Sequence, residues 1–218
     1  MSSESFGSGG PGAGCPGDPW HPMGESVPAD ETGLEPLTYA QRPIWIGQQL
    51  DPGNPLYNMA FAIVVDAALD RDAFRRAWRH VARRSDALRT TAIATGGAGV
   101  ARVGRAAPDV ELLDAGAIGD DGFLAWCRQR CERPLDTRER LVDTVLASLP
   151  DGRTGWYLNQ HHLIADAYST ALVHQRVSTA YERIVGGGPA DDGGAQKSHG
   201  YYPTTSALQA SGPDEVVG

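Results

Sequence analysis

Apolar residues in this chain are concentrated between positions 37 and 185, and the spacing at which they recur changes from segment to segment. Thr38-x-x-Gln41 fits a capping box, in which a hydroxyl and an amide satisfy the free backbone donors of a helix start. The helix beyond it carries Ile44, Trp45, Gln48, Gln49 and Leu50. Proline is favoured as a first helical residue, so the helix is expected to begin at Pro43. Asp51-Pro-Gly-Asn-Pro55 ends it as a turn cluster. Tyr57 to Asp66 is rich in Phe, Ile and Val and short for a helix, and reads as a buried strand. Asp70 then caps an amphipathic helix to about Leu88, with Phe74, Ala77, Trp78, Val81 and Leu88 at helical spacing.

The second half continues the alternation. Arg89 to Thr95 and Val100 to Val103 read as two strands joined through Gly96-Gly97-Ala98-Gly99, and Val110 to Leu113 as another. Asp120 or Asp121 opens a helix through Phe123, Leu124, Trp126, Cys127 and Cys131, closed by Pro134. Leu141 to Leu149 and Gly155 to Leu163 read as long strands around the turn Pro150-Asp151-Gly152. A last helix, about Ser169 to Val185, buries Leu172, Val173, Val177, Ala180, Tyr181 and Ile184 before Gly186-Gly187-Gly188 stops it. The expected fold is α/β: a two-layer sandwich in which a mixed β-sheet is covered by helices.

Composition adds flanks to this body. Residues 1–36 hold eight Gly, six Pro and six acids with no Lys or Arg, too little apolar surface to offset ordering entropy, and read as a disordered tail. Residues 186–218 have the same character and read as a flexible tail, leaving 37–185 as the folded domain. The net charge of −8 belongs to the flanks, since 37–185 carries 18 Arg against 17 acids. No basic stripe interleaved with aromatics supports nucleic-acid binding. The start lacks a basic n-region before an apolar run, and no run approaches the ~20 residues of a membrane span, so a soluble cytoplasmic protein is expected. The Gly run at 96–99 opens no helix and precedes no Lys-Ser/Thr, so it is not a phosphate loop. Cys127 and Cys131 lack zinc-ligand neighbours and read as reduced thiols. Arg71, Arg75, Arg76, Arg79, Arg83 and Arg84 line one helix, opposed by Asp72 and Asp86. They form either a solvated face or a docking patch for an acidic partner.

The chemistry concentrates at Asn159-Gln160-His161-His162-Leu163-Ile164-Ala165-Asp166-Ala167. Neighbouring side chains of a strand point to opposite faces, so His161 and His162 cannot serve one site, and a metal centre built from the pair is disfavoured. An imidazole is suited to moving a proton near neutral pH. With no G-x-S-x-G elbow in the chain, the expected role is a histidine acting on a substrate amine or hydroxyl as it attacks an acyl group. Asp166 is expected to fix the loop through an arginine, with Arg42 and Arg89 as candidates.

His161 to Ala167 resembles the HHxxxDG motif of nonribosomal peptide synthetase condensation domains, of the chloramphenicol acetyltransferase-like superfamily. Thr38-Tyr39-Ala40-Gln41-Arg42-Pro43-Ile44-Trp45 is similar to that family's opening SxAQxRLW motif, continued by Leu50-Asp-Pro-Gly-Asn-Pro-x-Tyr-Asn58. Arg84-Ser85-Asp86-Ala87-Leu88-Arg89-Thr90 is similar to its RHExLRT motif. The resemblance implies amide-bond formation between an acyl or peptidyl thioester and an aminoacyl thioester, both held by phosphopantetheine on carrier proteins, with no cofactor or metal bound directly. By motif position it makes His162 the catalytic histidine, His161 a support, and Asp166 a salt-bridge partner. Ala167 stands where the motif has glycine, and Pro43 where it has arginine. A condensation domain has two such lobes, and this sequence resembles only the first. Three readings follow: a lobe completed by a second-lobe chain, a catalytically incomplete lobe that binds carriers or partners, and a stand-alone acyltransferase that works as a homo-oligomer.

Overall fold

The computed structural model describes residues 34–190 except 96, 97 and 117. The expected flanking tails therefore fall almost wholly outside the described residues, as does the Gly96-Gly97 step. The elements in chain order are β1 (Leu34–Pro36), α1 (Gln41–Leu50), β2 (Asn58–Val65), α2 (Arg71–Arg84), β3 (Thr90–Thr95), β4 (Ala98–Val103), β5 (Glu111–Asp114), α3 (Asp120–Cys131), β6 (Val142–Ser148), β7 (Thr154–His161) and α4 (Ala167–Val185). No helix among the described residues is long and apolar enough to cross a membrane.

The mixed sheet runs β2-β7-β6-β5, with β5 parallel to β6 and the other pairs antiparallel. Helices cover it as the pattern of apolar residues requires. Phe74, Ala77, Trp78 and Val81 of α2, with Val173, Val177 and Ala180 of α4, pack on Val142, Leu146, Trp156 and Leu158. On the other face Phe123 and Cys127 of α3 pack on Val145, Ala147 and Tyr157, with Ala62 and Val64 beside them. Arg130 of α3 ties this layer down by an ion pair to Asp143 at 2.7 Å and another to Glu111 at 2.6 Å.

Four local expectations change. First, β3 and β4 do not join the mixed sheet but form their own with β1, whose residues lie inside the stretch assigned to the tail. Second, β2 is an edge strand rather than a buried one, and Phe61 and Ile63 remain about two-fifths exposed. Third, α1 begins at Gln41, because Pro43 sits in the first turn, where a missing N–H leaves no bond unmade. The capping box itself is present: Thr38 N–H donates to Gln41 Oε1 at 2.9 Å and Gln41 N–H to Thr38 Oγ1 at 3.4 Å. Fourth, the arginine row on α2 meets a further acid, Asp109, which pairs with Arg75 at 3.0 Å and Arg79 at 2.7 Å.

The α3 layer packs closely on the sheet where Gly155 faces Phe123. A Cβ built at Gly155 would lie 2.5 Å from Phe123 Cζ, and Phe123 has no exposed surface through which to retreat. Gly155→Ala should therefore overpack the α3 layer and lower stability by about 1–3 kcal/mol. A urea denaturation midpoint unchanged by the substitution would contradict this packing.

Candidate active site

The β7 strand ends at His161, and its last residues alternate as the strand geometry requires. Gln160 points toward α4, where the Thr170 hydroxyl lies 2.9 Å from its Oε1. His161 turns the other way, under α1, and is completely buried. His162 follows the strand and is exposed. The strand thus ends between the two imidazoles, short of the expected Leu163, with one ring sealed in the core and the other exposed in the turn. No group of three or more His, Cys, Asp or Glu among the described residues could hold a metal ion.

Both ring nitrogens of His161 are engaged. Nδ1 accepts from the Leu163 backbone N–H at 3.1 Å, and Nε2 lies 3.0 Å from Gln48 Oε1. An amide oxygen only accepts, so Nε2 carries the proton and the ring is neutral. Burial, with the neighbouring His162 adding to it, lowers the His161 pKa to about 4. This residue cannot exchange protons near neutral pH.

His162 is held differently. Its backbone N–H donates to Tyr57 O at 2.8 Å, and Nδ1 lies 2.7 Å from Ala165 O. The carbonyl can only accept, so Nδ1 carries a hydrogen, and in the neutral ring the lone pair is the one on Nε2. The turn that presents the ring is gripped by α1: Gln41 Nε2 donates to Leu163 O at 2.8 Å. Leu163 itself packs with Leu37, Trp45, Ala92, Ala101 and Leu141.

Asp166 departs from expectation. It is the N-cap of α4, where its carboxylate accepts from the Ser169 N–H at 2.7 Å and Asp166 N–H donates to the Ser169 hydroxyl at 2.8 Å. The Ser169 backbone N–H, with the serine hydroxyl, holds its pKa below the ordinary carboxylate value. The arginines proposed to pair with it have other partners. Arg42 Nε donates to Leu37 O at 3.1 Å. Arg89 pairs with Asp86 and donates to Gly104 O, which fastens the end of β4 to the start of β3. Cap geometry wins because a carboxylate at a helix start can satisfy free N–H groups without reaching across the surface. Ala167 is the first residue of α4, exposed and helical, so its methyl group is accommodated.

Sequence reasoning missed Gln48 as a site residue. The signal was Gln41, Trp45 and Gln48 at helical spacing, a buried stripe in which amides replace apolar side chains.

An α/β lobe that presents a histidine lone pair at the end of a central strand suits acyl-transfer chemistry. The chain belongs to the condensation-domain family, which matches residues 31–210. It is 31% identical over 170 residues to the isonitrile lipopeptide synthase of Streptomyces coeruleorubidus, covering 76% of this chain and 12% of that protein. It is also 31% identical over 156 residues to a dimodular nonribosomal peptide synthase of Bacillus subtilis (strain 168), covering 69% of this chain and 6% of that one. The starter condensation domain of the rhizomide synthetase RzmA superposes with a TM-score of 0.67 at 30% identity, over 72% of this chain and 39% of that chain. A variant of the same domain is known in complex with C8-CoA and Leu-SNAC. This chain therefore spans only a small share of the synthetases it resembles and about two-fifths of the solved domain.

Neutral buried His161 has a consequence for stability. As pH falls below about 6.5 the unfolded chain takes up a proton that the folded ring refuses until about pH 4. Stability should hold level above that window and fall by up to a few kcal/mol across it. Burial of His174 acts in the same direction. Chemical denaturation at successive pH values checks this, and His161→Asn should flatten the decline relative to the parent chain.

Proposed function

We propose that the chain is the N-terminal lobe of a nonribosomal peptide synthetase condensation domain with His162 as its catalytic base. The reaction joins an acyl group and an aminoacyl group, each presented as a thioester on the phosphopantetheine arm of a carrier protein. The observation that carries the reading is the bond from His162 Nδ1 to Ala165 O, which leaves Nε2 as an acceptor on an exposed face. The attacking amine forms the C–N bond at the thioester carbonyl carbon and gives its proton to His162 Nε2. Collapse of the tetrahedral adduct breaks the C–S bond, and the proton passes from Nε2 to the departing thiolate. The RzmA domain's ligands, C8-CoA and Leu-SNAC, fit this pairing of partners.

The other site residues serve as supports in this scheme. His161 holds the turn, Asp166 caps the helix that leaves it, Ala167 starts that helix, and Arg89 fixes the neighbouring hairpin. The lobe requires a second wall. His162 faces solvent, and a base in open water gains little from the protein around it. That wall would come from a second-lobe chain or from another copy of this one. The same exposure favours a second reading, a catalytically incomplete lobe that binds carrier proteins.

Supplied with carrier-bound substrates and the complementary lobe, the chain should form amide product, and His162→Ala should cut the rate by about a hundredfold or more. Unchanged product formation in that variant would overturn the assignment of His162. No product from the parent chain, with binding to the loaded carrier retained, would select the second reading.

A further inference from the structure

Gln48 lies beyond the opening motif, which ends at Trp45, yet it is the side chain of α1 that meets the buried ring of His161. It is only 4% exposed. Its orientation is fixed from the other side. Nε2 lies 3.2–3.3 Å from the carbonyl oxygens of Asp51, Pro52 and Asn54, so the amide nitrogen must face that turn. The amide oxygen must then face His161.

We propose that Gln48 is a positioning residue for His162, acting through His161. The proposal rests on the reading of His162 as the base. An oxygen held against Nε2 obliges that nitrogen to carry the hydrogen, which leaves Nδ1 bare. Bare Nδ1 accepts the N–H of Leu163, the residue that follows His162. The opposite tautomer would point a ring N–H at that backbone N–H, and the turn would have to open. With Gln41 on Leu163 O and Tyr57 O on His162 N–H, the peptide groups on both sides of His162 are then fixed. One amide orientation, set by the turn at 51–54, thus decides a tautomer, and the tautomer decides where the base sits.

Two kinds of measurement test this, and the first does not depend on turnover. Imidazole nitrogen NMR on the chain, with His161 assigned against its five fellow histidines, should show a single Nε2–H tautomer at neutral pH. Gln48→Met, close in shape but without the acceptor, should turn it into a mixture and shift the His162 ring and Leu163 amide signals. Gln48→Glu offers an oxygen acceptor to Nε2 whether or not its carboxyl is ionised, so it should keep the hydrogen on Nε2 that Gln48→Met releases. The second measurement is condensation with the complementary lobe present. Gln48→Met should lower kcat by about tenfold to a hundredfold, the scale of a misplaced reacting group, with KM within about twofold.

An Nδ1–H ring in the parent chain, or an unaltered tautomer and kcat in Gln48→Met, would overturn the proposal. Should Gln48→Met fail to fold, the parent tautomer and the retention of Nε2–H in Gln48→Glu still decide it, and an Nδ1–H ring in either would overturn the proposal. If His162→Ala retains activity while the tautomer responds to Gln48 as described, the reading of His162 as base fails and the link from Gln48 to His161 stands.

Discussion

A histidine ring with no exposed surface stands at the end of the central strand, and both of its nitrogens must find partners inside the protein. A buried polar atom left unpaired costs roughly 1–3 kcal/mol, so this is a strong constraint on the surrounding chain. One nitrogen is satisfied from within the turn that follows the strand, the other from a helix more than a hundred residues earlier. The interaction closes the fold on itself: α1 cannot move without disturbing the turn, and the turn cannot open without orphaning the ring. The Leu37–Trp45–Leu163 cluster adds apolar packing to the same junction.

The functional consequence lies in the contrast between the two neighbouring histidines. His161 is locked neutral by burial and keeps one tautomer. His162, one residue on, is exposed, with Nδ1 held 2.7 Å from Ala165 O. The end of β7 falls between the rings: His161 is its last residue and lies in the core, His162 opens the turn beyond it, and the two sit in different hydrogen-bond environments. A pair that is adjacent in sequence becomes, in three dimensions, one ring sealed in the core beside one exposed ring.

Periodicity made the main elements legible. The α2 and α4 stripes, the β6–β7 hairpin and the helix ending before Pro134 could be read because each buries one face at a regular interval. The histidine pair could be placed at the end of β7, but the strand stops at His161, short of the expected Leu163, so the strand's end and not its alternation parts the two rings. What could not be read was anything set by long-range pairing. Edge position left Phe61 half-exposed, and no local pattern distinguishes an edge strand from a central one. The separate β1-β4-β3 sheet depends on pairing a three-residue strand with a hairpin strand far along the chain, Leu34 with Arg102 and Pro36 with Val100, beyond the reach of local spacing. Asp166 was misread as an ion-pair partner because a capping aspartate and a salt-bridged one look alike until the helix start is fixed.

The position of the site within the lobe explains why its support is so extensive on one side only. Among the described residues, the contacts at His162 and its turn come from the core side: the Tyr57 carbonyl beside β2, the Ala165 carbonyl, and α1 through Gln41 on Leu163 O. Above the ring there is solvent. In water, a hydrogen bond or charge aimed at a reacting atom is weakened by the high dielectric, while geometry costs nothing to keep. Under the proposed reaction, a lobe of this kind orients His162 by itself but does not supply the water-excluded environment in which a base is most effective. The division matches the coverage of the solved relative, of which this chain accounts for about two-fifths. In the proposed reaction, orientation is built into this lobe and desolvation must be contributed by whatever closes over it.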